Sequence, residues 1–264
     1  MNVYVQELRF LRKSTLIWNL SLFLSLVLML LIYPPMMEEG ESFLKVLQSY
    51  PPEFLAAFSI NFDTFMSFNG FFGYIQLYVL LALCVLAMNL GLSALGKEIS
   101  GKTADFILTK PITRRRFLTE KILSAFTILT LTNLFLGFTT VLMNFLLVQE
   151  DRNLKVLLLI YIGGFLIQIL FLSLGLFLGI LRKRVRFITS LSLSIVFIFY
   201  IVSMLSQILK KDFLNYLTPF RYFDFNQIIL DSGYEMTYLL LSVVLILFFT
   251  ALSYLLIQKK EIHG

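Results

Sequence analysis

Residues 156–181 read VLLLIYIGGFLIQILFLSLGLFLGIL, an apolar run without a single Asp, Glu, Lys or Arg. A helix needs about 20 apolar residues to cross a hydrocarbon core of roughly 30 Å. Further stretches with the same length and lack of charge lie at 14–33, 70–95, 122–147, 187–209 and 237–257. These runs are too long and continuous for barrel strands, which alternate over about ten residues. The sequence therefore predicts an all-α integral membrane protein with six transmembrane helices.

The composition agrees with this interpretation. The chain has 264 residues, of which 58% are hydrophobic and 14% charged, and a mean hydropathy of +0.85. A soluble domain has roughly 45–50% apolar and about 25% charged residues, so a water-soluble enzyme, a disordered chain and a fibrous repeat are excluded. Cys84 and His263 are the only residues of their kinds. One chain therefore offers no disulfide framework, and no histidine or cysteine metal site can be assembled from it.

The distribution of basic residues predicts the orientation. Sixteen Lys and Arg residues lie in the N-terminal segment, the 96–121 and 182–186 loops and the C-terminal tail, against six in the alternate segments. Cytoplasmic loops carry the excess of Lys and Arg in membrane proteins, so both termini are expected in the cytoplasm. The net charge of +6 then reflects topology, and we expect no nucleic-acid partner.

The segments between the spans carry structure of their own. Residues 3–13 place apolar and basic side chains on opposite helical faces, which predicts an amphipathic helix in the membrane plane; a flexible basic tail is the alternative. The outer loops 34–69 and 210–236 are rich in aromatic residues, and the first contains Pro-initiated stretches that predict short helices. We expect the first loop to pack onto the outer membrane interface or onto neighbouring spans. In the second loop we expect short helices that dip toward the membrane from outside, either as a gate or as a cap.

Residues 96–103 match the phosphate-binding pattern G-x-x-x-x-G-K-[ST]. In a nucleotide site that loop follows a buried strand and opens a helix within an α/β domain. Here it follows a transmembrane span in a loop with no room for such a domain, and Glu98 would bring a negative charge into the phosphate cradle. We therefore reject an ATP site in this chain.

The same loop, 96–121, suggests a different role. Ile99 and Phe106 fall on one face of a short helix that Pro111 would end. An amphipathic helix at the cytoplasmic surface could dock a soluble partner, and an ordinary basic interface loop is the alternative. The basic runs beside it are expected to anchor to anionic lipid at the inner interface, at about 1 kcal/mol per charge: Arg114, Arg115, Arg116, Arg182, Lys183 and Arg184.

This loop resembles the first cytoplasmic loop of the permease subunits of type-2 ABC exporters, the ABC-2 family transporter proteins. That loop typically reads E-x-x-x-G-T-x-x-x-L-L-x-x-P-[IV]-[ST]-R-x-x-x-x-x-x-K. The corresponding residues here are Glu98, Gly101, Ile107, Leu108, Pro111, Ile112, Thr113, Arg114 and Lys121, and Lys102 stands between Gly101 and Thr103 where the family pattern has Gly and Thr adjacent. Residues 50–54 and 217–224 are similar to the family's first and last outer loops, so the likeness covers nearly the whole chain.

The resemblance implies a type-2 ABC exporter-like bundle with a cytoplasmic coupling helix. A separate ABC-type ATP-binding subunit would dock there and bind the ATP, so that this chain needs no cofactor. The implied contacts are Glu98, Ile99, Gly101, Lys102, Thr103, Asp105, Phe106, Leu108 and Pro111. A second permease chain, identical or different, would complete the export path in the plasma membrane of a bacterial cell.

Two other classes of membrane protein compete with this interpretation. An ion- or proton-coupled secondary carrier usually has charged residues within its spans, and an intramembrane enzyme needs a nucleophile with a base or a metal. The six predicted spans contain no charged residue and no histidine. Their amides, such as Asn133 and Gln168, are expected mainly to join helices, and Gly175 and Gly179 fit a small-xxx-small packing face. The transported cargo is not indicated.

Overall fold

The computed structural model describes residues 3–100, 113–148, 153–181 and 187–259. Its helices are α1 (Val3–Leu30), α2 (Tyr33–Glu38), α3 (Gly40–Gln48), α4 (Pro52–Ala57), α5 (Phe62–Phe65), α6 (Phe68–Ser100), α7 (Arg114–Leu147), α8 (Leu154–Leu181), α9 (Ile188–Leu209), α10 (Asp212–Leu217), α11 (Phe225–Asp231) and α12 (Met236–Lys259). Six of them, α1, α6, α7, α8, α9 and α12, are long and apolar enough to cross a membrane. These ranges contain no strand, and the all-α prediction is confirmed.

The long helices extend beyond the predicted spans. α6 continues to Ser100 and α7 already begins at Arg114, so much of the predicted 96–121 loop is helical. The hydropathy pattern marks only the part of a helix that lies in hydrocarbon. A helix forms its own backbone hydrogen bonds, so it can continue beyond the hydrocarbon with charged side chains. The length of the apolar run does not reveal this extension.

The N-terminal segment differs from its prediction. Residues 3–13, expected as a separate helix in the membrane plane, are instead the start of α1. Leu8 and Leu11 pack against the buried core, and α1 as a whole lies along α7. No Pro or Gly interrupts the chain here, so the helix runs straight into the first span.

The centre of the bundle is formed by α6 and α8. The apolar window of α6 is 78% buried, whereas those of α1 and α12 are only 17% buried. α8 also contacts α7 and α12, while α6 also contacts α9, α7 and α1. The remaining surfaces of α1, α9 and α12 face outward and are apolar, as expected for helices in contact with lipid or with another membrane protein.

Glycines bring α6 and α8 into backbone contact. A Cβ atom added at Gly91 would lie 2.4 Å from the carbonyl oxygen of Leu172, and one added at Gly179 would lie 2.9 Å from that of Leu92. Gly175 is equally close to α6. Small residues allow such an approach, which is a main source of helix association in lipid. The small-xxx-small face predicted in span four therefore packs within the chain.

The short helices lie at one end of the bundle. We call this the cap end; it contains α2 to α5, α10 and α11, with α4 against α9 and α11 against α6 and α8. The opposite end is where α6 leads to α7 and α8 leads to α9. We call it the coupling end, after the coupling helix that the resemblance leads us to expect in the 96–121 loop. The helices begin near the predicted Pro positions, as at Pro52 in α4, since Pro suits a first helical turn.

We predict that Gly91→Ala destabilises the bundle, because the added methyl group would force two backbones apart. Overpacking of this kind costs typically about 1–3 kcal/mol. The matched control is Gly137→Ala on α7, where the nearest atoms to an added Cβ lie 3.9 Å away. Thermal melting in detergent should show a lower transition for the first variant only; equal transitions would contradict the contact.

Candidate functional site

The predicted coupling residues fall mostly where the structure gives no description. Glu98 and Ile99 lie in the last turn of α6, of which only the backbone is described. The others lie outside the described residues: Gly101, Lys102, Thr103, Asp105, Phe106, Leu108 and Pro111, and likewise Arg182, Lys183 and Arg184. Residues 96–100 continue a helix rather than form a loop, unlike the phosphate-binding loop that their sequence imitates.

We call residues 98–112, where the sequence places the expected docking contacts, the coupling segment. The start of α7 follows this segment directly. Thr113 caps this helix, and its hydroxyl oxygen accepts a hydrogen bond from the backbone N–H of Arg116 at 3.3 Å. Thr is a favoured residue at this position because its oxygen satisfies an N–H group that has no partner within the helix. The first turns of α7 are therefore fixed immediately after the segment.

Glu120 on α7 caps the beginning of α1. Its Oε2 atom accepts hydrogen bonds from the backbone N–H groups of Val3 at 2.8 Å and Tyr4 at 3.3 Å. The first N–H groups of a helix have no internal partner and carry a partial positive charge, so a carboxylate is a suitable acceptor. Arg116 donates from Nε to the other Glu120 oxygen at 2.9 Å, which holds the carboxylate in place.

Lys121 forms an ion pair with Glu7 of α1. The Nζ atom lies 2.7 Å from Glu7 Oε2, and the side chains are only 2% and 13% exposed respectively. The ammonium group also lies 5.5 Å from the centre of the Phe117 ring. A charge removed from water is strongly unfavourable without a partner, so this pair fixes where α1 lies on α7.

The same turns of α7 also contact the end of α12. Arg115 donates to the Gln258 side chain at 2.9 Å, and the hydroxyls of Thr119 and Tyr254 are 2.7 Å apart. Arg114 contacts the backbone oxygen of Gln258 at 3.4 Å. We call this group of α7 side chains the α7 hub: Arg114, Arg115, Arg116, Thr119, Glu120 and Lys121. The hub joins α1, α7 and α12 at the coupling end.

The hub was only partly predictable. Arg114, Arg115 and Arg116 were expected at the lipid interface, and the structure gives each of them a protein partner; their role with lipid stays a prediction. Glu7 and Glu120 were not among the residues predicted from the sequence. Their signal is that each is an acidic residue among basic neighbours ahead of a span.

An amide pair, with Gln168 buried and Asn133 half-buried, joins α7 to α8 in the middle of the spans. Asn133 Nδ2 donates to Gln168 Oε1 at 2.8 Å, and Gln168 Nε2 donates to Asn133 Oδ1 at 3.0 Å. Each amide satisfies the other, so neither polar group is left bare in an apolar environment. This pair has the joining role predicted for the amides of the spans. The prediction does not extend to all of them, because both side-chain polar atoms of Gln76 and the side-chain oxygens of Asn19, Asn89 and Asn144 have no hydrogen-bond partner among the described residues.

At the cap end, Asn226 connects the two predicted outer loops. Its Oδ1 accepts from the Thr64 hydroxyl at 3.2 Å, and its Nδ2 donates to the Ser59 carbonyl at 2.9 Å. Gln207 of α9 donates to the Ser59 hydroxyl at 2.9 Å. Ser59 has a positive φ of 57°, a strained conformation for a residue other than Gly. These bonds hold the loops together over the bundle.

Aromatic contacts join the second outer loop to the start of α12 at the cap end. The rings of Tyr222 and Tyr238 stack with centroids 5.7 Å apart, and the Tyr222 hydroxyl donates to the Tyr216 carbonyl at 2.7 Å. Burial, with a smaller contribution from Tyr238, raises the pKa of Tyr222 to about 12. The phenol therefore remains a hydrogen-bond donor at any physiological pH.

Comparison with protein families gives one decisive result. A family described as ABC-2 family transporter protein matches residues 1–262. The chain belongs to this family. The ABC-2 chain is thus a multi-pass membrane protein and an ABC transporter permease, a transport component rather than a catalytic subunit, and the resemblance stated from its motifs is confirmed. Comparison with curated proteins gave no match.

We predict that Lys121→Met destabilises the ABC-2 chain by about 3 kcal/mol, the order expected when one member of a buried ion pair is removed. Arg116→Gln is the control, because that side chain is 70% exposed and exposed pairs contribute at most about 1 kcal/mol. Melting in detergent measures both. Exchanging the charges in the Glu7→Lys, Lys121→Glu double variant should restore part of the loss, and identical transitions for all three variants would refute the pair's role.

We also predict that Asn226→Ala loosens the cap end, because it removes the two hydrogen bonds between the outer loops. Each such bond contributes about 0.5–1.5 kcal/mol. Hydrogen exchange of residues 52–67 should become faster, whereas Gln227→Ala, an exposed neighbour on α11, should leave it unchanged. Unaltered exchange in the Asn226 variant would show that the loops are held by other contacts.

Proposed function

We propose that this chain forms the export path of an ABC transporter and is driven by a separate ATP-binding subunit that docks on its coupling segment. Family membership supports the transporter class. The observation that carries the mechanism is the α7 hub, which begins immediately after the segment that would receive the ATPase. The proposed contacts remain those expected from the sequence, Glu98 to Pro111, and ATP is bound by the partner alone.

The hub offers a route by which docking could move the permease. The coupling segment joins α6, the most buried helix, to α7. A displacement of the first turns of α7 would act on α1 through the Lys121–Glu7 pair and on α12 through Arg115 and Gln258. Because α1 and α12 are the least buried helices, they can shift with less loss of packing than α6 or α8.

The path itself is proposed to lie between two permease chains. The backbones of α6 and α8 touch at Gly91 and Gly175, so no path passes between the central helices at that level. The apolar outer surfaces of α1 and α12 are available for a second chain, identical or different. The coupling end then faces the cytoplasm of a bacterial cell, as the basic residues predict, and the cap end closes the path outside.

We predict that Phe106→Asp abolishes co-purification of the ATP-binding subunit while the permease remains in the membrane. The charge would replace the central apolar side chain of the proposed docking helix, at a cost of several kcal/mol if it is buried unpaired. Thr109→Asp adds the same charge in the same segment without removing a proposed contact, so it is the control. Affinity capture from mild detergent and ATPase assay of the captured complex provide the measurements.

Retention of the ATPase by the Phe106 variant would overturn the docking assignment. Uphill solute movement by the isolated chain in liposomes would contradict the proposal that a separate ATPase supplies the energy, because the chain would then have its own source of energy. The secondary carrier would in that case be the better interpretation. Loss of transport on removing the ATPase from co-reconstituted liposomes is the expected result.

A further inference from the structure

An open groove runs between α7 and α8 and is not used by the proposed mechanism. Its volume is about 520 Å³, within the range of roughly 300–1,000 Å³ typical of ligand pockets. On α8 it extends from Leu154 to Phe165, and on α7 it includes Leu134 and Phe138. These two α7 side chains are 64% and 70% exposed, so the groove opens sideways from the bundle.

The side chains that line the groove favour an apolar ligand. The polar side chains that line it already have partners: Asn133 pairs with Gln168, and the Tyr161 and Thr140 hydroxyls are 2.8 Å apart. Thr130 donates to the carbonyl oxygen of Phe126 at 2.8 Å. These side chains are already hydrogen-bonded within the protein, whereas hydrocarbon fits the Leu, Val, Ile and Phe side chains that make up most of the rest.

The length and depth of the groove match one leaflet of a bilayer. From Leu154 to Phe165 an α-helix rises by about 16 Å at 1.5 Å per residue, and half of a hydrocarbon core is about 15 Å. Leu154 is the first residue of α8, so the groove starts at the membrane interface. It ends beside the Asn133–Gln168 pair, in the middle of the spans.

A positive charge stands at the open end of the groove. Lys155 is exposed, and it precedes Leu158 and Ile162 by three and seven residues, which places all three on one helical face. Leu158 and Ile162 line the groove. A cation at the interface above an apolar groove complements a lipid with a phosphate headgroup, and each such charge contributes about 1 kcal/mol near an anionic surface.

The floor of the groove is open at Gly137. A Cβ atom added there would meet only ring atoms of Tyr161, at 3.9 to 4.0 Å, which is ordinary van der Waals contact. Gly137 itself lines the groove, and the atoms nearest to an added Cβ belong to a side chain rather than to the backbone. Gly137 is therefore the position at which a larger side chain is expected to fill the groove.

We propose that this groove binds one anionic phospholipid, with an acyl chain along α8 from Leu154 to Phe165 and the phosphate at Lys155. The site is distinct from the proposed path and does not depend on coupling to an ATPase. The lipid would cover the gap between α7 and α8 that the Asn133–Gln168 pair spans at its inner end.

The test is native mass spectrometry of the detergent-purified chain with added phosphatidylglycerol or phosphatidylcholine. The wild type should retain one phosphatidylglycerol in preference to phosphatidylcholine. Gly137→Phe should lose the retained lipid, whereas Leu131→Phe should keep it, since Leu131 is exposed on the same helix but does not line the groove. Lys155→Gln should keep the fold and weaken phosphatidylglycerol retention about fivefold, as the loss of one interfacial charge implies.

Three results would overturn the proposal. Equal lipid retention by wild type and Gly137→Phe would show that the groove is not the lipid site. An unchanged headgroup preference in Lys155→Gln would show that Lys155 does not contact the lipid phosphate. A change in oligomeric state in Gly137→Phe, measured by mass in detergent with lipid retention unaltered, would assign the groove to a second copy of the chain. Capture of the ATP-binding subunit tests the proposed function separately.

Discussion

The close approach of α6 and α8 is the contact on which the rest of the bundle depends. In lipid, helices gain little from burying apolar surface, because the surrounding tails are equally apolar, so association depends on shape and hydrogen bonding. Gly91, Gly175 and Gly179 remove the side chains that would hold the two helices apart. The other long helices lie around this pair: α7 and α12 pack against α8, α9 packs against α6, and α1 packs mainly against α7. Transport between the two central helices would require this contact to break.

Ion pairs and other polar contacts hold the helices together at the coupling end, whereas close packing holds them together at the centre. The hub residues lie where α7 enters the apolar part of its span, and there a charge is tolerated only with a partner. Lys121 finds Glu7, and Glu120 finds both Arg116 and the start of α1. These bonds connect the N-terminal helix to the helix that follows the coupling segment. The ends of the bundle are therefore linked by polar contacts, while its middle is held mainly by packing.

Some features could be predicted because they depend on residues that are close together in the sequence. The lack of charge in 156–181 and in the other spans marks the helices, and the Pro-initiated short helices of the outer loops begin near their Pro residues. Gly175 and Gly179 could be recognised as a packing face, but their partner helix could not. Lys121 of the hub and Glu7 of α1 are separated by 114 positions, and no local pattern indicates that these two residues meet.

The sequence by itself determined that the chain enters a membrane six times, where its charges lie relative to each span, and which family it belongs to. These properties follow from the transfer free energy of each segment and from short motifs, and both are local. Only the tertiary structure decided that α1 joins α7, that the glycines of α8 meet Gly91, and that Asn133 pairs with Gln168. All six spans are similarly apolar, so hydrophobicity does not determine which spans pack against each other. That pairing depends on complementary shapes and on a few polar side chains that form hydrogen bonds or ion pairs with each other.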